Sequence, residues 1–334
     1  MRLPGVKLAQ RSFRRARSRL LGGIAVLGYH RIADVAHPLG LAVSRRRFAE
    51  QIAVLARTVR LMRLSDAARA LTERSLPSRG VVVTFDDGYR DTLDEALPLL
   101  ERAGIPATVF VTTGSPGREF WWDELTRVVM ESKTPPHDLK LEIPGRSRPW
   151  TVEAKYARPY ADGMASRRTW LTEIAGDLRL LPTAEREHVM SALRAWSGLP
   201  SPDDAARRPR ALTVAELQQL AACPYIEIGA HTVSHPLLPM LTRKEQQEEV
   251  QRSRLDMQLL TGRSVTSFSY PHGAYSDETL STVAEAGFTV ACCSTSDVLR
   301  SASDVLTVPR LWVGDQDGES FSSWLQGWLG AAKR

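Results

Sequence analysis

The feature that most restricts how this 334-residue chain can fold is the run Val81-Val82-Val83-Thr84-Phe85, in which β-branched or aromatic residues follow one another without polar alternation. A strand with one face in water alternates. A strand without alternation must be covered on both faces, as in a parallel sheet wrapped by helices. Similar short apolar runs occur at 23–28, 107–112, 226–229, 265–270, 288–292 and 305–313. Helical patterns lie between them. Phe48, Ile52, Leu55 and Ala56 share one helical face, Ser65 is placed to N-cap a short helix, and a helix over 93–103 would stop at Gly104. Seven strands separated by helices predict an α/β fold, a distorted (β/α)7 barrel, whose chemistry belongs on the loops at the C-terminal strand ends.

The chain is 43% hydrophobic and 25% charged, so it can bury a large core without disulfides. Its three cysteines, Cys223, Cys292 and Cys293, include no CxxC pair, which predicts buried reduced thiols rather than a zinc-thiolate site. No apolar run approaches the roughly 20 residues of a spanning helix. Residues 20–29 could pass for a signal-peptide core, but they run straight into Tyr29-His30-Arg31 with no small-residue cleavage site. A cytoplasmic location is expected on that reading. The net charge is +6, with Arg2, Lys7, Arg11, Arg14, Arg15, Arg17 and Arg19 concentrated in a basic leader over 1–22. Such a leader suits peripheral contact with anionic lipid at the inner membrane surface, or an anionic substrate, and equally a solvated tail. Without a recognition motif or aromatic–basic interleaving, nucleic acid is not an expected partner.

Three polar motifs fall at predicted strand ends. Thr84-Phe85-Asp86-Asp87-Gly88 puts two carboxylates side by side, so that a cation on one frees the other to act as a base. Gly229-Ala230-His231-Thr232-Val233-Ser234-His235 carries two histidines at i and i+4, which one helical turn would bring to one side. With Asp87 they make a candidate metal set; imidazole plus carboxylate suits zinc first, and also cobalt, nickel or iron. Ser269-Tyr270-Pro271-His272-Gly273 supplies a rigid turn, with proline fixing the backbone and glycine allowing close approach to a ligand.

TFDDG, HTVSH and the YPHG turn, in that order, resemble the first three motifs of the polysaccharide deacetylase family, the carbohydrate esterases with a NodB-homology domain. The resemblance runs from about residue 25 to 313 and includes Tyr29-His30-Arg31 and Val308-Pro309-Arg310. It implies a distorted seven-stranded (β/α) barrel, hydrolysis of N-acetyl groups on an amino sugar, Asp87, His231 and His235 on a divalent metal, and Asp86 as general base. A backbone N–H near Tyr270 would receive the oxyanion. Tyr270, Pro271 and Gly273 would line the substrate site. The chain departs from the family pattern twice. Ser269 stands where the third motif often has the arginine that steadies the base, and Arg310 is expected to supply that function. The late Leu-x-x-His acid is absent from Leu311-Trp312-Val313-Gly314, which leaves His272, or else His30, as proton donor.

The expected organisation is a catalytic domain over 23–316 with a helical insertion at about 117–210, and a C-terminal helix over 317–334. Trp122, at the start of the insertion, is a candidate sugar platform. Phe321, Trp324, Leu325 and Trp328 form an apolar stripe, expected to dock on the barrel or to touch a membrane. The substrate implied is an acetylated glycan or a lipid-linked sugar precursor. The same site could act on an O-acetyl ester or a small amide, and a degenerate site would leave a carbohydrate-binding protein without catalysis.

Overall fold

The computed structural model describes residues 23–35, 37–132, 140–144, 150–151, 163–199 and 209–329. The chain divides into two compact units, one made of the segments up to Pro116 and from Leu212, the other Gly117–Ala211.

The first unit is built on a seven-stranded sheet: β1 Gly23–Tyr29, β2 Arg79–Phe85, β3 Ala107–Val111, β4 Ile226–Ala230, β5 Ser267–Ser269, β6 Val290–Cys292 and β7 Leu311–Trp312. The spatial order is β6-β5-β4-β3-β2-β1-β7, and every pairing is parallel. This is the chain order of a (β/α)7 barrel with one seam left open between β6 and β7. The residues between those strands close much of it. Cys292 bridges Val308, and Leu299 forms an antiparallel bridge with Ile24.

Alternation along β1 separates two cores. Ile24 and Val26, with Val82, Phe110, Val290 and Cys292, face inward and pack with Leu64, Ala67 and Leu71 of helix Leu64–Thr72. Ala25, Leu27, Val81, Val83 and Phe85 face outward beneath the surrounding helices, Phe48, Ile52 and Leu55 of helix Arg45–Thr58 among them. Helix Gly318–Leu329 joins the outer core through Phe321, Leu325 and Trp328, so its apolar stripe is spent on the barrel and is not offered to a membrane. Among the described residues, no helix is long and apolar enough to cross a membrane. The basic positions of 1–22 lie outside the described residues, as does most of the stretch between helices in the insertion.

Several sequence expectations need correction, the strands expected over 265–270 and 288–292 being shorter, at Ser267–Ser269 and Val290–Cys292. The strand expected over 305–313 is a 3-10 turn, Val305–Thr307, followed by the two-residue β7, because Pro309 has no N–H for a ladder. The helix expected at Ser65 begins one residue earlier at Leu64, with Arg63 as N-cap; the Ser65 hydroxyl donates to Glu227 instead. The helix over 93–103 opens with a π turn at Thr92–Ala96, where the Leu97 N–H reaches back to the Thr92 carbonyl. Pro98 follows directly, and a widened turn spares the clash a proline makes with an α-helical carbonyl. Gly104 ends this helix in the left-handed conformation, as expected. The strand read as 107–112 stops at Val111.

The second unit holds helices Trp121–Glu131, Gly163–Leu178 and Thr183–Ser197 and a short antiparallel pair, Lys140–Leu141 with Trp150–Thr151. Trp170, Leu171, Ile174, Leu178, Val189, Met190 and Leu193 are buried.

Candidate metal centre

Parallel register brings the motifs to one level. Tyr29 pairs with Phe85, Phe85 with Val109, Val111 with Ala230, and Ala230 with Phe268. The residues just past these strand ends include His30, Asp86-Asp87, His231 and Tyr270.

Asp86 and Asp87 separate in direction because Asp87 takes a left-handed backbone (φ 72°), followed by Gly88 at φ 77°. A non-glycine residue held there costs about 1–2 kcal/mol, which the surrounding structure must offset. Asp87 is 2% exposed, and its Oδ1 lies 3.5 Å from Nε2 of His231 and 3.5 Å from Nε2 of His235. That oxygen has no hydrogen-bond partner among the described residues. His231 Nδ1–H donates to the Ser269 carbonyl at 2.7 Å, so its Nε2 is left as a lone-pair donor facing Asp87. The two Nε2 atoms lie 3.2 Å apart. All three donor atoms fall within 4.8 Å of one another, all from buried residues. A carboxylate oxygen and two imidazole nitrogens converging in a dry site fit a cation, which satisfies all three at once.

The histidine pair is not on a helical turn as expected. Residues 231–235 form a loop in which Thr232 (φ 64°) and His235 (φ 56°) both adopt left-handed conformations. Thr232 Oγ1 donates to the His231 carbonyl at 2.6 Å and accepts from the His235 N–H at 3.1 Å, closing the loop so that both rings point the same way.

Asp86 has a different partner. Arg310 donates from Nη1 to Oδ1 at 2.6 Å and from Nη2 to Oδ2 at 2.7 Å, a bidentate pair with the arginine fully buried. Arg310 Nη2 also donates to Ser269 Oγ at 2.9 Å, and that hydroxyl donates to Asp86 Oδ2 at 3.2 Å. The serine at the usual arginine position therefore completes the network into which Arg310 reaches from the seam. Burial pushes the Asp86 carboxyl up, but Arg310 and then His231 pull it down further, to about 2. Burial likewise lowers the His231 pKa, and the carboxylates of Asp86 and Asp87 raise it to a net increase. The Arg310 guanidinium lies 4.7 Å from the Trp312 ring centroid, and His30 stacks on Trp312 at 4.4 Å and 14°. Burial lowers the His30 pKa against the pull of Asp87 and Asp86.

The polysaccharide deacetylase family model matches residues 73–135 and 205–291, which contain both aspartates and both histidines of this centre. Over these two segments the chain resembles the polysaccharide deacetylase family. Among its relatives is YxkH of Bacillus subtilis, a polysaccharide deacetylase by name, 40% identical over 55 residues that span 16% of this chain and 20% of that protein. The fold is similar to IcaB from Ammonifex degensii, at 20% identity and a TM-score of 0.59, over 91% of this chain and 97% of that one. It is also similar to the Streptococcus pyogenes deacetylase PplD in complex with acetate, at 18% identity and a TM-score of 0.55, over the same shares of each chain. At these identities the likeness is one of fold, a parallel seven-stranded sheet curled into a partial barrel with helices around it.

Within this deacetylase fold the remaining expected positions fall unevenly. His272, at φ 57°, stands with its ring 4.6 Å from that of His235. Pro271 is buried. Gly273 is required for close packing, since a Cβ there would lie 2.2 Å from Ser294. Tyr270 is fully buried, its hydroxyl donating to the Leu306 carbonyl at 3.0 Å and its N–H to the Cys292 carbonyl at 3.1 Å. With that N–H already engaged, the oxyanion expected near Tyr270 falls to a neighbouring N–H and not to Tyr270 itself. Trp122 is 6% exposed and stacks face to face with Phe120 at 4.7 Å, so it serves the insertion's core and not as a sugar platform. Sequence reasoning missed the bond of Ser269 to Asp86 and the place of Trp312 between His30 and Arg310. Only Ser269 carried a signal, as the odd residue in the third motif.

Proposed function

We propose that this chain is a metal-dependent hydrolase that removes N-acetyl groups from an amino-sugar glycan or a lipid-linked glycan precursor. The reading rests on one observation, the convergence of Asp87, His231 and His235 beside an Asp86 that is ionised and held by Arg310. A divalent cation on that triad, zinc by donor preference with cobalt, nickel or iron also suited, would polarise the acetyl carbonyl and acidify the attacking water. Asp86 accepts the proton from that water, with Arg310 and Ser269 fixing its carboxylate plane. A carboxylate with a pKa near 2 is a weak base, so the water must be acidified for the transfer to proceed.

The leaving amine takes a proton from an imidazole outside the ligand set. His272, against His235, is assigned this task. His30 is the second reading, favoured by its coupling to both aspartates and its fixed stacking on Trp312. A kcat loss of roughly 10²–10⁴-fold in His272→Ala supports the first assignment; the same loss in His30→Ala alone transfers it.

The test of the whole reading is metal analysis of the purified protein together with acetate release from N-acetylglucosamine oligomers, O-acetylated xylan and small amides. Stoichiometric metal and N-deacetylation support it. Acetate only from the ester or the small amide would move the activity to those substrates, and metal binding without release from any of them would leave a carbohydrate-binding protein.

A further inference from the structure

The geometry points to Glu249 as a positioning residue that sets metal affinity by clamping the loop between the two ligand histidines, an inference that rests on the metal-site reading above. Three residues separate His231 from His235, and two residues of this loop stand in left-handed conformations that an unsupported chain rarely adopts. The support comes from two sides. On one, the N–H groups of Thr113 and Gly114 donate to the carbonyls of Thr232 and Val233 at 3.1 and 2.8 Å. Gly114 is needed for that approach, because a Cβ there would lie 2.5 Å from the Val233 carbonyl.

On the other side a single carboxylate takes three donors from the loop's centre. Glu249, on helix Arg243–Thr261, accepts from Val233 N–H at 2.8 Å and Ser234 N–H at 2.9 Å through Oε2, and from Ser234 Oγ at 2.6 Å through Oε1. It forms no ion pair with a basic side chain among the described residues; its charge is spent on these donors. Hydrogen bonds to an ionised acceptor are the stronger kind, and two of these fix consecutive peptide planes. Without them the loop can relax toward ordinary backbone angles, which would turn the His235 ring away from Asp87. Glu249 touches neither the ligand nitrogens nor the reacting atoms, so it acts through the spacing of the imidazoles.

The experiment is a zinc dissociation constant, measured by competition with a chromophoric chelator, for wild type, Glu249→Ala and Glu249→Gln, beside urea unfolding of the metal-free proteins. Partners that orient metal ligands are worth on the order of 10–100-fold in affinity, and Glu249→Ala is expected to weaken zinc binding by that factor. Glu249→Gln keeps one acceptor oxygen for the two N–H groups and should lose less. A purely structural glutamate would lower metal-free stability and leave the folded protein's zinc affinity unchanged. Affinities of both variants within about twofold of wild type overturn the clamp. Absence of zinc binding by the wild type overturns the metal reading, and the clamp with it. If Glu249→Ala does not fold, Glu249→Gln and Ser234→Ala carry the same comparison.

Discussion

Adjacent aspartates with opposite surroundings divide the work at the residue scale. Asp87 turns Oδ1 to two imidazoles, with no hydrogen bond to that oxygen among the described residues, whereas Asp86 faces a guanidinium and a hydroxyl. Asp86→Asn is expected to retain metal and lose acetate release by on the order of 10³-fold, and to lower stability as well, since the buried Arg310 loses its counter-charge. Asp87→Ala is expected to lose both, which elemental analysis beside the acetate assay would separate. The pH dependence follows from the same contacts. The folded-state pKa of Asp86 is depressed from 3.8 to about 2, so its stabilising contribution is complete above pH 4 and disappears as pH falls through about 2. The acid limb of activity should therefore not belong to Asp86. It should belong to the ligand imidazoles, since the His231 pKa is raised and a proton competes with the cation for Nε2. Raising the zinc concentration is expected to move that limb to lower pH; a limb that ignores zinc contradicts competition.

At the scale of elements, what was legible in the sequence was whatever rests on period and chain order. The β-branched run of β2 announced its burial, and TFDDG and HTVSH announced the residues that converge at the strand ends. The loop carrying the histidines was read as a helical turn because i, i+4 spacing favours one, while Thr232 and Glu249 impose another backbone. Local pattern cannot show an effect that comes from a helix downstream in the chain. Arg310 was reachable only through the family resemblance, from the serine at position 269 and its own place at a late strand end. Two glycines sharpen this point. At Gly28 a Cβ would sit 2.8 Å from the Trp312 ring, and at Gly273 it would sit 2.2 Å from Ser294 at a left-handed φ. Gly273→Ala is expected to cost more than about 2 kcal/mol in urea unfolding, overpacking and backbone strain acting together.

The whole first unit depends on its ends meeting. β1 pairs with both β2 and β7, so residues at opposite ends of the chain share one sheet. Trp328, 1% exposed, packs into the outer core from the last helix. Trp328→Ala is expected to destabilise the protein by roughly 3–5 kcal/mol, read as a lower urea midpoint; a surface-like change below about 0.5 kcal/mol would contradict the docking of that helix.

The segment that stitches the open seam also carries Arg310. A chain folded only as far as β6 could gather Asp87, His231 and His235, yet Asp86 would be an inward carboxylate without its cation. Assembly and competence thus finish together. If the proposed function holds, the last stretch of chain supplies both a wall of the core and the guanidinium that fixes the base, so a polypeptide cut before it would lack the one with the other.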